Sequence, residues 1–527
     1  MNIIEEVAAG IAAENSFNGH KMSESVDSCA DVDVVDAISR GDAGYISLMV
    51  RLGRGRFLYD PIDRHWYRWG EHCWILDRNE SVYNELPIKL GGLLKKARSK
   101  AEQLPEGNYK ASRLTAIDAA SKRLLSVDTT NKFVSNSIKG RAISDIADAD
   151  KFSELAGLGI NGTEWDANRH LLGFTNGVLD LRTGEFRSGR PEDYLNTLIP
   201  HEWKGWNEPA PNFDSYLATS LPKDIARPES GGNTEVISCL QRCIGHVFGG
   251  SLREHMLVVL SGKKGRNGKT TLFEALKYAF GDQYVTAAQS ALLTKSTFSR
   301  SSSAPSPDLM CLRGARIVYA SEVKKGAEMD CEQVKHITGG DTITARPLYG
   351  QNVSFKPTHQ LFLLANDIPQ IAYDDIAMWY RLRIFEFPLS YVDDPTESYE
   401  RKADKDLMAK LQQEASGIIA WVLRGYKDYC KQGINPPESV KASVRDFQKK
   451  NDVIGLFIQE ALVREEKSTI QASKLYGAYK KWAKEANISE IMSSTRFGEQ
   501  IADRIKKKNT GNCRLYVGYR LAQGCTN

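Results

Sequence analysis

Lys269 and Thr270 stand at the end of a glycine-bearing loop in the stretch LVVLSGKKGRNGKTTL, residues 257–272. The apolar run Leu257-Val258-Val259-Leu260 reads as a buried strand, and Leu272, Phe273, Leu276 and Phe280 then recur at helical spacing. Strand, glycine loop, Gly-Lys-Thr and helix together make a cradle for polyphosphate. Glycines let backbone N–H groups approach phosphate oxygens, and the helix N-terminus adds unpaired donors and a positive dipole end. On this reading Gly262, Gly265, Arg266, Asn267, Gly268, Lys269, Thr270 and Thr271 line the ATP site. Lys269 reaches the β- and γ-phosphates and the Thr270 hydroxyl ligates Mg2+. Lys263 stands where the usual spacing has glycine, and Gly262 lies one residue farther out. The plain alternative is a basic, glycine-rich surface turn.

Three further groups follow in an order that suits NTP hydrolysis. GARIVYASE, residues 314–322, reads as a second buried strand ending in Glu322. A carboxylate at that place holds Mg2+ through water and polarises the attacking water. Ser321 takes the position where a first acid is common, so Glu322 carries the work alone. The third apolar strand, Leu361–Ala365, ends in Asn366, whose amide can orient the same water. Arg381 and Arg383 then precede another strand, where an arginine can reach a neighbouring subunit's nucleotide. Between the second and third strands, Gly350 and Asn352 suit a hairpin tip. Each feature alone has a reading as strand cap or surface charge; the four in sequence argue for catalysis.

These elements sit in a chain of 527 residues, long enough for several domains each with its own core. Apolar content of 41% and charged content of 26% describe a globular protein. The net charge of +4 requires any basic DNA path to be local. No apolar run approaches a membrane span and the acidic N-terminus is no secretory signal, so no membrane partner and a cytoplasmic location are expected. Nine scattered cysteines, with Cys239 and Cys243 on one helix face, suggest reduced thiols rather than a zinc site.

Residues 1–44 read as a mobile tail, being polar and weakly patterned. From 45 to 210 an α+β N-terminal domain is expected. It opens on RFLYDPIDRHWYRWGEHCWILD, whose aromatics suit a tryptophan-stapled meander more than base stacking. A helical stretch over 83–157 follows, in which Lys95-Lys96-Ala97-Arg98-Ser99-Lys100 reads as a solvated face. Strands turning at Asn176-Gly177 and Thr183-Gly184 come next. After the proline-rich boundary come a helical collar (211–250), the ATPase core (251–395) and a helical segment (396–440).

Residues 441–527 read as a separate unit. Helices around Phe447, Phe457 and Leu475–Trp482 precede a Ser- or Thr-capped helix from 493, the basic turn 506–512 and a closing strand. Helices followed by a basic hairpin outline a winged helix, with Arg496, Arg504, Lys506, Lys507 and Lys508 set to meet DNA phosphates. A lysine turn on a small protein-binding domain is the alternative.

Taken together, GRNGKTT, RIVYASE, KHITGGDTITARPLYGQNVSFKPT, LFLLAND and WYRLRIFEFP resemble the superfamily 3 helicase core, specifically that of the phage/plasmid and poxvirus-type primase–helicase family. The flanks WDANRHLLGFTNGVLDLRTGEF and KLQQEASGIIAWVLRGYKDYCKQG are similar to that family as well. The resemblance implies an α/β AAA+-type P-loop core, a homo-hexameric ring and movement along single-stranded DNA. It gives Lys269 and Thr270 to the phosphate loop, Glu322 to the acidic motif, Asn366 to the sensor and Arg381, before Arg383, to the finger. Lys335, Asp341 and Arg346 match the extra motif, and 346–356 the pore hairpin, with Tyr349 and Lys356 as DNA contacts. Only about 40 residues precede the resemblance, without an acidic metal-binding constellation. Primer synthesis is therefore not expected of this chain, and a separate primase or replication protein would supply it. The expected function is an ATP-dependent DNA helicase acting on single-stranded and forked DNA in replication of a phage, plasmid or other mobile element. The rivals are a replication initiator whose ATPase switches assembly, and a small-molecule phosphotransferase.

Overall fold

The computed structural model describes residues 34–138, 157–227, 231–250, 254–295, 305–348, 352–486, 488, 491–510 and 513–522. The chain divides into two compact units, 1–205 and 206–527.

In the first unit, β1 (Phe57–Asp60), β2 (His65–Trp69) and β3 (Trp74–Leu76) form an antiparallel meander. Trp66 and Trp74 are buried, and the Trp69 and Trp74 rings meet edge-on at 5.3 Å. These aromatics build a core, as the plainer reading had it. Helices Val82–Glu102, Asn108–Leu124 and Val127–Ser137 pack beside them. The basic stretch near Lys95 lies on the outer face of the first, where Arg98 pairs with Glu102 and Asp118. A sheet of order β6-β5-β4-β7 follows, from β4 (Leu171–Phe174), β5 (Gly177–Asp180), β6 (Phe186–Arg187) and β7 (Leu198–Ile199). Residues 34–44 correct the expected tail: Val34–Ser39 is a helix with Val34, Val35 and Ile38 buried. Three apolar residues at helical spacing suffice to dock it, a signal too short to stand out among the polar residues around it.

The second unit holds a five-stranded, fully parallel sheet. Its strands are β8 (Leu257–Ser261), β9 (Val285–Ala288), β10 (Ile317–Ala320), β13 (Gln360–Ala365) and β14 (Leu382–Glu386), in the order β14-β8-β13-β10-β9. β11 (Ile343–Ala345) and β12 (Val353–Phe355) make a separate antiparallel pair, and β15 (Ser390–Val392) and β16 (Glu400–Lys402) another, parallel one. The continuous apolar runs of β8 and β13 suit a sheet covered on both faces.

Helices Thr234–Gly245 and Ala415–Gln432 lie in backbone contact. A Cβ on Gly245 would come 2.4 Å from the Tyr426 nitrogen, and one on Gly425 would come 2.4 Å from the Gln241 carbonyl. The expected collar and the helical segment after the core therefore form one layer. Cys239 and Cys243 are buried in it as small core residues. Among the described residues no helix is long and apolar enough to cross a membrane.

The boundary expected at 441 moves. Helix Glu438–Lys450 belongs to the parallel-sheet body, because Val444 and Phe447 pack into its core and Phe447 meets Trp379 at 5.7 Å. The last body runs helix Val453–Ala461, β17 (Leu462–Gln471), helices Ala472–Glu485 and Ser494–Ala502, β18 (Lys507–Thr510) and β19 (Cys513–Leu521). Its sheet order is β17-β19-β18, and Ser493 caps the helix it precedes, as expected from sequence.

Candidate active site

Parallel strands bring the ends of β8, β13 and β10 to one edge of the sheet, and the loop 262–268 sits there. The Gly262 N–H donates to the Ala365 carbonyl at 3.1 Å, tying the loop to β13. Gly265, Arg266 and Gly268 all take left-handed φ, at 73°, 47° and 85°. At Gly268 the space is restricted too: a Cβ there would lie 3.1 Å from the Tyr216 ring. Asn267 is buried, and its amide nitrogen donates to the carbonyls of Leu389 (2.7 Å) and Phe387 (3.2 Å). The Tyr391 N–H donates to the Arg266 carbonyl at 2.9 Å, and the Ser390 hydroxyl to that of Gly265 at 3.1 Å. From helix Pro211–Ser220, the Tyr216 hydroxyl donates to the Gly268 carbonyl at 2.7 Å. Burial pushes the Tyr216 phenol well above its usual range, so this donor stays protonated. Tyr216, Ser390 and Tyr391 were missed in the sequence, where no spacing relates them to a loop so distant along the chain.

Lys269 is buried, and its Nζ donates to Asn267 Oδ1 (2.8 Å), Asn366 Oδ1 (3.1 Å) and the Gly262 carbonyl (3.2 Å). All three acceptors are uncharged. Burial pushes the Lys269 ammonium down to about 8. A buried ammonium held only by neutral oxygens fits a polyphosphate, whose charge would replace the lost solvation. Thr270 is exposed in the first helical turn and Thr271 is half-buried. Glu322 is exposed two residues past the end of β10 and holds φ at 61°, a costly conformation for a side chain with a Cβ. β10 lies two strands from β8, about 10 Å at ordinary strand spacing. That separation suits a carboxylate reaching Mg2+ through water, with Thr270 as the direct ligand. The structure thus brings Lys269, Asn366 and Glu322 to one edge.

Arg381 is at the opposite edge. Leu382 pairs with Leu257 and Glu386 with Ser261, so Arg381 precedes the start of β14, about 16 Å along the strands from the phosphate loop. Its Nη1 donates to the Ala377 carbonyl at 2.9 Å, and its Nε is buried without a hydrogen-bond partner among the described residues. Arg383 donates from Nη1 to the carbonyls of Leu382 (2.7 Å) and Tyr380 (2.8 Å), and its Nε is likewise buried without a hydrogen-bond partner among the described residues. Neither lies beside Lys269 of the same chain.

The basic residues expected on DNA fall in two places. Arg346 and Lys356 are exposed beside the β11–β12 pair, while Tyr349 lies outside the described residues. Lys506, Lys507 and Lys508 are exposed, the last two on β18. Arg496 is exposed, 3.5 Å from Asp374. Arg504 is a correction. It is only partly exposed, pairs with Asp452 at 2.6 Å and lies 4.7 Å over the Tyr373 ring, so it fastens the last body instead of offering a charge to phosphate.

Three stretches of the chain match known families. Residues 47–222 match the family described as D5 N terminal like, and 449–522 match the family described as Poxvirus D5 protein-like. Residues 260–381 match a family of unknown function. The chain is 33% identical over 331 residues to the provisionally named helicase L207/L206 of Acanthamoeba polyphaga mimivirus, covering 60% of this chain and 33% of that protein. It is 27% identical over 354 residues to the provisionally named helicase V13 of Sputnik virophage, covering 65% and 43%. It is 26% identical over 382 residues to the provisionally named primase C962R of African swine fever virus, covering 68% and 38%. The chain thus spans between a third and just under half the length of these relatives. A solved structure of the NrS-1 C terminal region in its apo A form is similar at 13% identity and a TM-score of 0.34, over 59% of this chain and 75% of that one. A score that low bears no weight.

Proposed function

From the matches of residues 47–222 and 449–522 to D5-type families, we propose that the chain is an ATP-driven DNA helicase acting in replication of a virus or other mobile element. The observation that carries this reading is the 3.1 Å contact between Lys269 Nζ and Asn366 Oδ1. It sets a phosphate-loop lysine against an amide on the neighbouring strand, where a γ-phosphate and its attacking water would meet. On binding ATP, Lys269 exchanges neutral oxygens for the β- and γ-phosphates. The loop N–H groups, fixed in place by Asn267, Ser390, Tyr391 and Tyr216, donate to the phosphate oxygens. Mg2+, held by Thr270 and through water by Glu322, supplies charge neutralisation to the triphosphate when bound. Glu322 takes the proton of the attacking water, and Asn366 orients that water for in-line attack.

Arg381 lies at the far edge of its own sheet, which supports a role in a neighbouring subunit's site and hence a ring, expected to be a homo-hexamer. The β11–β12 hairpin, with Arg346, Tyr349 and Lys356, then grips single-stranded DNA. A winged-helix reading of 452–522 is supported by its helix-strand-helix-helix-strand-strand order and by the exposed lysines of β18.

Lys269→Ala should cut hydrolysis by about 10²- to 10³-fold. Arg381→Ala should bind ATP but not turn it over, and rings mixed from the two variants should regain activity at interfaces pairing an intact loop with an intact arginine. Mixed rings that gain nothing would count against the arginine acting between subunits. A second reading, an initiator whose ATPase switches assembly, draws on the same basic C-terminal body. It predicts tight duplex binding with little strand displacement.

A further inference from the structure

Asp375 does two things at once. Its Oδ1 accepts the Met378 N–H at 3.1 Å, capping the helix Ile376–Arg381 whose last residue is the proposed finger. Its Oδ2 also accepts from Lys335 Nζ at 3.1 Å. Lys335 is on helix Cys331–Thr338, which leads through residues 339–342 into β11 of the hairpin. One carboxylate therefore touches both the start of the arginine helix and the helix that carries the DNA hairpin.

The rest of the connection is stiff. Trp379 Nε1 donates to the carbonyls of Ala372 (3.1 Å) and Tyr373 (3.0 Å), folding the arginine helix back on its own lead-in. The Trp379 ring is buried against Phe447. A helix of six residues has few bonds of its own, so its cap and this anchor decide where Arg381 points. A shift of the Lys335 helix has a direct handle on that cap.

We infer that Asp375 is a positioning residue for Arg381 and, with Lys335, the joint through which DNA in the hairpin controls hydrolysis at the neighbouring subunit. The inference rests on the helicase reading above. Three variants separate the two jobs. Lys335→Met removes the ion pair and keeps the cap. Asp375→Ser does the same, because serine also caps. Asp375→Ala removes both.

Steady-state hydrolysis would be measured on the full chain with and without single-stranded DNA, alongside binding of a fluorescent ATP analogue. Analogue affinity should be unchanged in all three. Asp375→Ala should lower kcat about tenfold at constant KM, the scale of a lost cap expressed fully in the transition state. Lys335→Met and Asp375→Ser should hydrolyse ATP without DNA but lose most of the stimulation DNA gives, and combining them should cost no more than either alone. If both keep full stimulation while Arg381→Ala is inactive, the joint is wrong and the helicase reading stands. If Arg381→Ala turns over normally, the finger assignment fails and this inference with it. Should Asp375→Ala not fold, the other two variants decide the matter.

Discussion

At the phosphate loop, the buried polar side chains are held before any ligand arrives: Lys269 donates to three oxygens, Asn267 donates to two carbonyls beyond the loop, and Ser390 and Tyr216 bind loop carbonyls. The basic surfaces lie open to solvent instead. Lys507 and Lys508 are exposed along all of β18, and Arg346 and Lys356 are exposed beside the hairpin. The contrast follows from the ligands proposed. In-line attack on a phosphate needs donors set to fractions of an ångström. A sliding strand needs charge that follows its backbone and releases it again. Single changes at the loop should therefore be severe and specific, and single changes on the basic surfaces mild and salt-dependent.

The largest effect should come from Lys269→Ala, with hydrolysis down about 10²- to 10³-fold, the cost of removing one preorganised donor to a developing charge. Asn267→Ala should come next. It removes the donor to Leu389 and Phe387 and one Lys269 acceptor, and nucleotide affinity measured by titration should fall about tenfold. The third test is pH. Lys269 titrates near 8 in the free protein, and a polyphosphate selects its charged form. ATP affinity should be full below pH 8 and fall as pH rises through 8, by about tenfold per unit until the bound-state value is reached. A flat profile from pH 7.5 to 9.5 would mean the lysine is not the group the nucleotide meets.

On the other side of the comparison, the double variant Lys507→Ala with Lys508→Ala should weaken DNA binding a few-fold on every sequence. It should also lower the salt slope by about 2, with ATP turnover in the absence of DNA untouched. A loss confined to one sequence would point to base reading and blur the contrast. Smallest for function is Asp452→Ala, which breaks the Arg504 pair and the cap on Gly455 N–H. It should destabilise the last body by about 1–3 kcal/mol in thermal unfolding, with no direct effect on phosphate contact.

What the sequence revealed follows the same line. The strand–loop–helix of 257–280 was legible because the phosphate geometry restricts residue types over a short, continuous span. β10, β13 and β14 were legible as apolar runs, and their shared edge followed from parallel pairing. Tyr216, Ser390, Asp375 and Trp379 were not, since each acts through a contact that only the fold creates. Phe447 and the helix Glu438–Lys450 were placed in the wrong body for a related reason: an amphipathic helix declares a buried face but not what buries it. Arg504 was misjudged because a charge in a basic neighbourhood looks like a phosphate contact until its partner, Asp452, is seen across 52 positions of sequence.

The most direct test is strand displacement on a forked DNA with ATP and Mg2+, comparing the native chain with Lys269→Ala and Arg381→Ala. The expected result is displacement by the native chain and none by either variant, with hydrolysis stimulated by single-stranded DNA. Hydrolysis indifferent to DNA, with no displacement by the native chain, would contradict it.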